Sequence, residues 1–266
     1  MKTVSLVTTD LAYVDQGAGT PILLVHGFPL DHTMWEEQIA ALAKNYRVIA
    51  PDLRGFGKSP LGKVEASRGI SMEQYADDLA ELLEKLDIHE PIVLVGFSMG
   101  GYIAWQFVRK YAARLRALVQ CDTRAAADTE EARAGRIKMA ENVAEWGSGR
   151  VAEMMGPKLF APETFERQPE VVAAVRRVVE KTPSASIAAA QRGMAARPDM
   201  NGFLPQIKLP TLVLVGAGDA ISTPKEMETI AAGIPGAQFV VIPGSGHMTT
   251  MENSAAVNEA LLGFLA

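Results

Sequence analysis

Short apolar runs rich in β-branched residues recur along the chain, at residues 22–25, 47–50, 92–95, 115–121, 211–215 and 238–242. Segments of helical periodicity, including residues 33–44, 71–86 and 222–232, separate nearly all of them, and a last helical stretch covers 253–265. Runs this short and this continuously apolar read as strands buried on both faces, and helices between them read as parallel crossovers. Residues 4–8 and 11–15 precede this series and read as two short antiparallel strands joined by a turn. The pattern predicts an α/β fold, a mostly parallel eight-stranded sheet with helices on both faces.

One stretch breaks the alternation. Residues 122–204 carry no strand signal, only Ala, Glu, Arg and Met at helical spacing, interrupted by Pro157, Pro162, Pro169, Pro183 and Pro198. The expected organisation is a core formed by residues 1–121 and 205–266, with a helical cap of residues 122–204 inserted between two strands. Open parallel sheets bind ligands at the carboxyl ends of their strands, where such a cap sits.

Chemistry enters at those ends. Gly96-Phe97-Ser98-Met99-Gly100 follows the run at 92–95 and precedes a helix-like stretch from Gly101 to Lys110. Glycines two residues either side of Ser98 suit a sharp strand-to-helix turn that leaves no room for side chains and holds the hydroxyl above the sheet. The backbone N–H of Met99 then lies at a helix N-terminus, where unpaired donors favour negative charge. A serine nucleophile needs a base, and the base an orienting acid. Of the four histidines, His247 follows the last strand through Pro243-Gly244-Ser245-Gly246, a loop able to return an imidazole across the strand ends. His26 opens a turn and reads as structural, while His32 and His89 read as solvated. Asp219 closes the strand and glycine-rich loop at 212–219 and is the preferred acid; Asp122, after the run ending at Cys121, is its rival or else a helix cap. Phe28, in His26-Gly27-Phe28-Pro29, is the candidate second oxyanion donor, because Pro29 has no N–H. The 52–59 loop reads as a rigid structural element, where any contact of Asp52 with Arg54 would serve the loop and not the chemistry, and Met154, Met155, Leu159 and Phe160 are candidate acyl-pocket residues that equally suit plain packing.

Composition narrows the partners. The 266 residues are 48% hydrophobic with a formal net charge of -5, which permits a large core and offers no basic surface for nucleic acid or anionic membrane. One cysteine excludes an internal disulfide and fits a reducing cytoplasm. No Cys/His cluster has metal-site spacing, and neither a signal-peptide stretch nor a membrane-length apolar run appears. A cytoplasmic enzyme with a small-molecule substrate is expected, its oligomeric state open.

With these residues placed, the chain resembles the α/β-hydrolase superfamily over nearly its whole length, through His26-Gly27-Phe28-Pro29, Asp52-x-Arg54-Gly55-x-Gly57-x-Ser59, Gly96-x-Ser98-x-Gly100-Gly101, Asp219 and Gly246-His247. The stretches 25–31, 121–124 and 216–222 are most similar to small bacterial carboxylesterases near the enol-lactone hydrolase branch. The resemblance implies cofactor-free hydrolysis of short-chain carboxylic esters under a helical cap. Lactone or enol-lactone hydrolysis, perhydrolysis and a non-catalytic receptor use the same scaffold and stay open. Epoxide hydrolases and haloalkane dehalogenases carry aspartate where this chain has Ser98. Where the family often has proline two residues after the glutamate at 252, this chain has Ser254, which is expected to loosen the last helix at its start.

Overall fold

The computed structural model describes residues 1–62 and 68–266. Its strands are β1 (Lys2–Ser5), β2 (Asp10–Gln16), β3 (Pro21–Val25), β4 (Arg47–Pro51), β5 (Ile92–Phe97), β6 (Leu115–Cys121), β7 (Thr211–Gly216) and β8 (Gln238–Ile242). They form one eight-stranded sheet in the order β1-β2-β4-β3-β5-β6-β7-β8. Pairing is antiparallel for β1 with β2 and β2 with β4, and parallel from β4 through β8. The fold class read from the alternating pattern is therefore the observed one. β1 lies earlier than predicted, because Leu6 N–H donates to Thr9 C=O at 2.8 Å and closes a turn where a strand was expected.

The helices are α1 (Glu36–Leu42), α2 (Met72–Lys85), α3 (Met99–Tyr111), α4 (Glu130–Leu159), α5 (Thr164–Arg167), α6 (Pro169–Lys181), α7 (Ser184–Ala195), α8 (Pro224–Gly233), α9 (Thr249–Glu252) and α10 (Ser254–Leu265). β3, β5 and β7 are buried at every position, so the sheet needs cover on both faces. Helix α2 shows how the sequence provides it. Ser71 caps the Gln74 N–H, and Tyr75, Leu79, Leu82 and Leu83 recur on one buried stripe that meets α3. α1 packs in the same manner on α10.

Four helices, α4 to α7, occupy the chain between β6 and β7. α4 is broken at Gly147, whose φ of 75° and ψ of 162° interrupt the helical ladder. The helix expected at residues 253–265 is α10, and the short α9 precedes it. Asn253 lies between them, and its Oδ1 accepts the Ala256 N–H at 3.3 Å, so α10 is capped at its start without a proline. Among the described residues, no helix is long and apolar enough to cross a membrane.

The 52–59 loop is tied to residues outside it. Asp52 does not meet Arg54: its carboxylate accepts the His32 backbone N–H and the Lys58 N–H and bonds His32 Nδ1 at 2.6 Å, while Arg54 forms a buried ion pair with Asp78. His32 is thus largely buried rather than solvated, with 14% of its side chain exposed. Burial alone lowers its pKa, but the Asp52 carboxylate outweighs that and the net shift is upward. For Asp52, burial raises the carboxyl and the His32 and Lys58 donors pull it below the usual range overall. A raised histidine stabilises the fold below its unfolded-state value and loses that contribution as pH climbs through the folded one. A depressed aspartate acts above its unfolded-state value and loses its contribution as pH falls. The ion pair accordingly stabilises most between the two. Replacing His32 with Gln should lower the thermal midpoint most at roughly pH 5 to 6 and least above neutrality. Thermal melts of both proteins at pH 5.5 and pH 9 check this, and an equal gap at the two would deny the pair its ionic character.

Candidate active site

Ser98 occupies the turn from β5 into α3 with φ 52° and ψ −112°, a conformation a residue with a Cβ adopts at a cost of about 1–3 kcal/mol. Neighbouring backbone holds it there. Its N–H donates to Cys121 C=O at 2.9 Å, and its C=O accepts the Thr123 hydroxyl at 2.7 Å. Gly100 is required by close approach: a Cβ there would stand 2.2 Å from the Val25 carbonyl oxygen. α3 begins at Met99, earlier than the predicted start at Gly101, so the Met99 N–H is among the donors a helix leaves free in its first turn.

His247 and Asp219 reach this turn from the ends of the last two strands. His247 Nε2 lies 2.9 Å from Ser98 Oγ, and Nδ1 lies 2.8 Å from Asp219 Oδ2. An ionised carboxylate only accepts, so Nδ1 carries the proton and Nε2 is left to accept from the serine hydroxyl. The other Asp219 oxygen accepts the N–H groups of Ile221 and Ser222 at 2.7 and 3.0 Å, which fixes its rotation. Asp219 and His247 are buried, Ser98 is half-buried, and the Phe97 ring lies 5.2 Å from the imidazole, centroid to centroid.

The turn after β3 also reaches Ser98. A Cβ on Gly27 would stand 3.2 Å from Ser98 Cβ, which places the Gly27-Phe28 backbone against the serine. His26 anchors this turn. Burial lowers its pKa, the neutral ring donates from Nδ1 to Gly27 C=O at 2.9 Å, and Nε2 accepts the Leu53 N–H at 2.9 Å. That agrees with the structural reading of His26. His89 is exposed, its side chain 66% accessible, and bonds Asp87.

Of the residues considered for an acyl pocket, Leu159 and Phe160 line a cavity of about 180 Å³ with Phe165, Val172 and Val175. Leu159 C=O also accepts the Met248 N–H, beside His247, at 3.0 Å. Met155 is half-buried against the core, and Met154 is 43% exposed. Sequence reading missed Glu252 as part of the site. Its buried carboxylate accepts N–H groups from Gly246 and Met248, which flank His247, with Oε1, while Oε2 accepts from the Ala161 N–H and the Thr164 hydroxyl. Burial raises its pKa; these four donors pull against that without cancelling it. A glutamate five residues after a loop histidine was the available signal, but only folding reveals which amides face it.

Among the described residues, two groups of ligand-type atoms lie within 4.8 Å of one another: Asp31, His32 and Asp52, and Asp122, Asp219 and His247. Internal bonds engage the carboxylates in both. Asp31 caps Thr33, Asp52 binds His32 and Lys58, and Asp122 accepts the Gly216 N–H at 2.9 Å.

Residues 20–254 match a family model described as the alpha/beta hydrolase fold. A thermophilic esterase from Thermogutta terrifontis, solved with malate bound, is 47% identical, with a TM-score of 0.95 over 100% of this chain and 98% of that one. The enol-lactonase from Burkholderia xenovorans LB400 is 29% identical, with a TM-score of 0.90 over 99% of each chain. A non-heme haloperoxidase from Rhodococcus erythropolis is 27% identical over 97% of this chain and 96% of its own.

Replacing Glu252 with Gln turns one acceptor oxygen into an amide that faces N–H or O–H donors. Leaving buried donors unpaired costs about 1–3 kcal/mol, so urea unfolding should register that loss. Hydrogen exchange at the Gly246 and Met248 amides should quicken with it; unchanged exchange would deny the clamp.

Proposed function

The chain belongs to the α/β-hydrolase fold family, and we propose that it is a carboxylesterase cleaving short-chain carboxylic esters through an acyl-enzyme on Ser98. The observation that carries this reading is the continuous relay from Ser98 Oγ through His247 to Asp219, at 2.9 and 2.8 Å. The 47% identity to an esterase over the full chain supports it further.

His247 Nε2 takes the Ser98 hydroxyl proton as Oγ bonds to the ester carbonyl carbon, and the carbonyl electron pair moves onto oxygen. The N–H groups of Phe28 and Met99 donate to that oxyanion, stabilising charge that the ground state lacks. Collapse breaks the bond to the alkoxy oxygen, which leaves with the proton held on His247. Water then attacks the acyl-enzyme, His247 again taking a proton, and the acid departs from a restored Ser98. Asp219 holds the imidazole in place and stabilises its transient positive charge. The helices within residues 122–204 act as a cap over the strand ends, with Leu159 and Phe160 facing the acyl group.

Enol-lactone hydrolysis is a second reading, supported by the 29% identity to an enol-lactonase; the same relay opens a ring instead of releasing an alcohol. The haloperoxidase relative supports perhydrolysis, in which peroxide replaces water at the acyl-enzyme.

Steady-state rates on p-nitrophenyl acetate, butyrate, octanoate and laurate, beside an enol-lactone, decide between ester and lactone hydrolysis, and peracid formation from acetate and peroxide tests perhydrolysis. Short esters should be the fastest. Turnover should fall on the order of 10⁶-fold in Ser98→Ala and on the order of 10⁴-fold in Asp219→Asn. A lactone rate far above every ester would move the assignment to lactonase, and turnover that survives Ser98→Ala would end the serine mechanism.

A further inference from the structure

The relay uses one carboxylate, yet two lie behind His247. Asp122 directly follows β6, fully buried, with backbone in the left-handed region at φ 47°. Its backbone is tied on both sides: the N–H donates to Leu214 C=O at 3.0 Å, and the C=O accepts the Ser222 hydroxyl at 3.1 Å. One carboxyl oxygen accepts the Gly216 N–H at 2.9 Å, and the other bonds the Thr249 hydroxyl. One oxygen of Asp122, one of Asp219 and one ring nitrogen of His247 lie within 4.8 Å of one another.

We propose that Asp122 is a positioning residue: a neutral carboxylic acid that shares its proton with the Asp219 carboxylate, so that the pair presents a single negative charge to His247 and Asp219 stays aimed at Nδ1. This rests on the acyl-transfer reading above. Two adjacent buried carboxylates repel, and one of them keeps its proton. The donors decide which. Asp219 is served by the Ile221 and Ser222 N–H groups and by His247 Nδ1–H, whereas Asp122 has one backbone N–H and a hydroxyl. The remaining groups around Asp122 supply no charge to offset it. Cys121, whose thiol burial pushes up, is neutral, and Ser222, Thr249 and Met227 are uncharged. The nearest cation along the chain, Arg124, pairs with Glu226 at 3.3 Å, and among the described residues no cationic side chain forms an ion pair with Asp122. Burial first and the Asp219 charge second hold the Asp122 carboxyl well above the usual carboxylate range. No proton is consumed in this arrangement; it stays between the acids throughout the cycle.

The test compares Asp122→Asn with Asp122→Ala by kcat/KM across pH, and follows the His247 imidazole titration by NMR in the same variants carrying Ser98→Ala. Asparagine keeps the shape and a donor and changes no charge, so the imidazole midpoint should stay where it is in the parent. Alanine removes the acid that shares a proton with Asp219, leaving its aim at Nδ1 to the Ile221 and Ser222 N–H groups alone, and should lower kcat by about 10- to 100-fold with little effect on KM, and asparagine should recover most of that loss. An ionised Asp122 would behave otherwise: asparagine would then remove a negative charge facing the imidazole and lower its midpoint by about one pH unit or more. That shift, or an alanine variant as fast as the native chain, overturns the proposal. If alanine does not fold, the asparagine midpoint decides alone. Because the NMR titration needs no turnover, it judges the acid pair even if the chain hydrolyses no ester.

Discussion

Ser98 sits in a left-handed backbone conformation where the ends of three strands meet, and the geometry of the site follows from how it is kept there. Cys121 accepts its N–H, Thr123 binds its carbonyl, and the Val25 carbonyl presses on the α3 backbone at Gly100. A strained turn persists only where its surroundings over-determine it. Here β3, β5 and β6 each supply part of that constraint, so the sheet has to assemble before the serine takes its orientation. The order β3-β5-β6-β7-β8 then places the loops that carry Asp219 and His247 on the same rim.

The helices between β6 and β7 are tied to this rim through backbone groups rather than resting on it. Glu252 binds the amides beside His247 with one oxygen and the Ala161-Thr164 turn with the other, and its own carbonyl accepts from Gln168. The Thr182 hydroxyl donates to Pro29 C=O, next to Phe28. At the neck, Met200 N–H donates to Ala125 C=O, and Arg197 joins Asp128 and the Ala126 carbonyl. A displacement of these helices therefore strains the same loops that hold Phe28 and His247. Buried charge is handled consistently nearby: Arg54 meets Asp78, His32 meets Asp52, and Asp128 meets both Arg136 and Arg197.

Much of this was legible along the chain. The runs at 92–95 and 211–215 admit one reading, because a continuous apolar strand must be covered on both faces. The glycines around Ser98 announced a turn too tight for side chains. Local pattern was less reliable at edges, where competing hydrogen bonds win: β1 ends where Leu6 turns back to Thr9. Long-range pairing was the least legible. Asp52 chose His32 over Arg54, and nothing local shows that Arg54 would find Asp78 on α2.

By itself, then, the sequence determined the sheet-and-helix alternation, the strand-free stretch before residue 205 and the loops that carry Ser98, Asp219 and His247, since these depend on periodicity and on what a short segment sterically allows. Only the tertiary structure decided which groups meet. It set Asp219 rather than Asp122 at 2.8 Å from Nδ1, left Asp122 facing Gly216 and Thr249, and made Glu252 a joint between the His247 loop and the helices between β6 and β7. Those outcomes turn on ångström distances between strand ends remote in sequence, which hydrogen-bond geometry resolves and residue spacing does not.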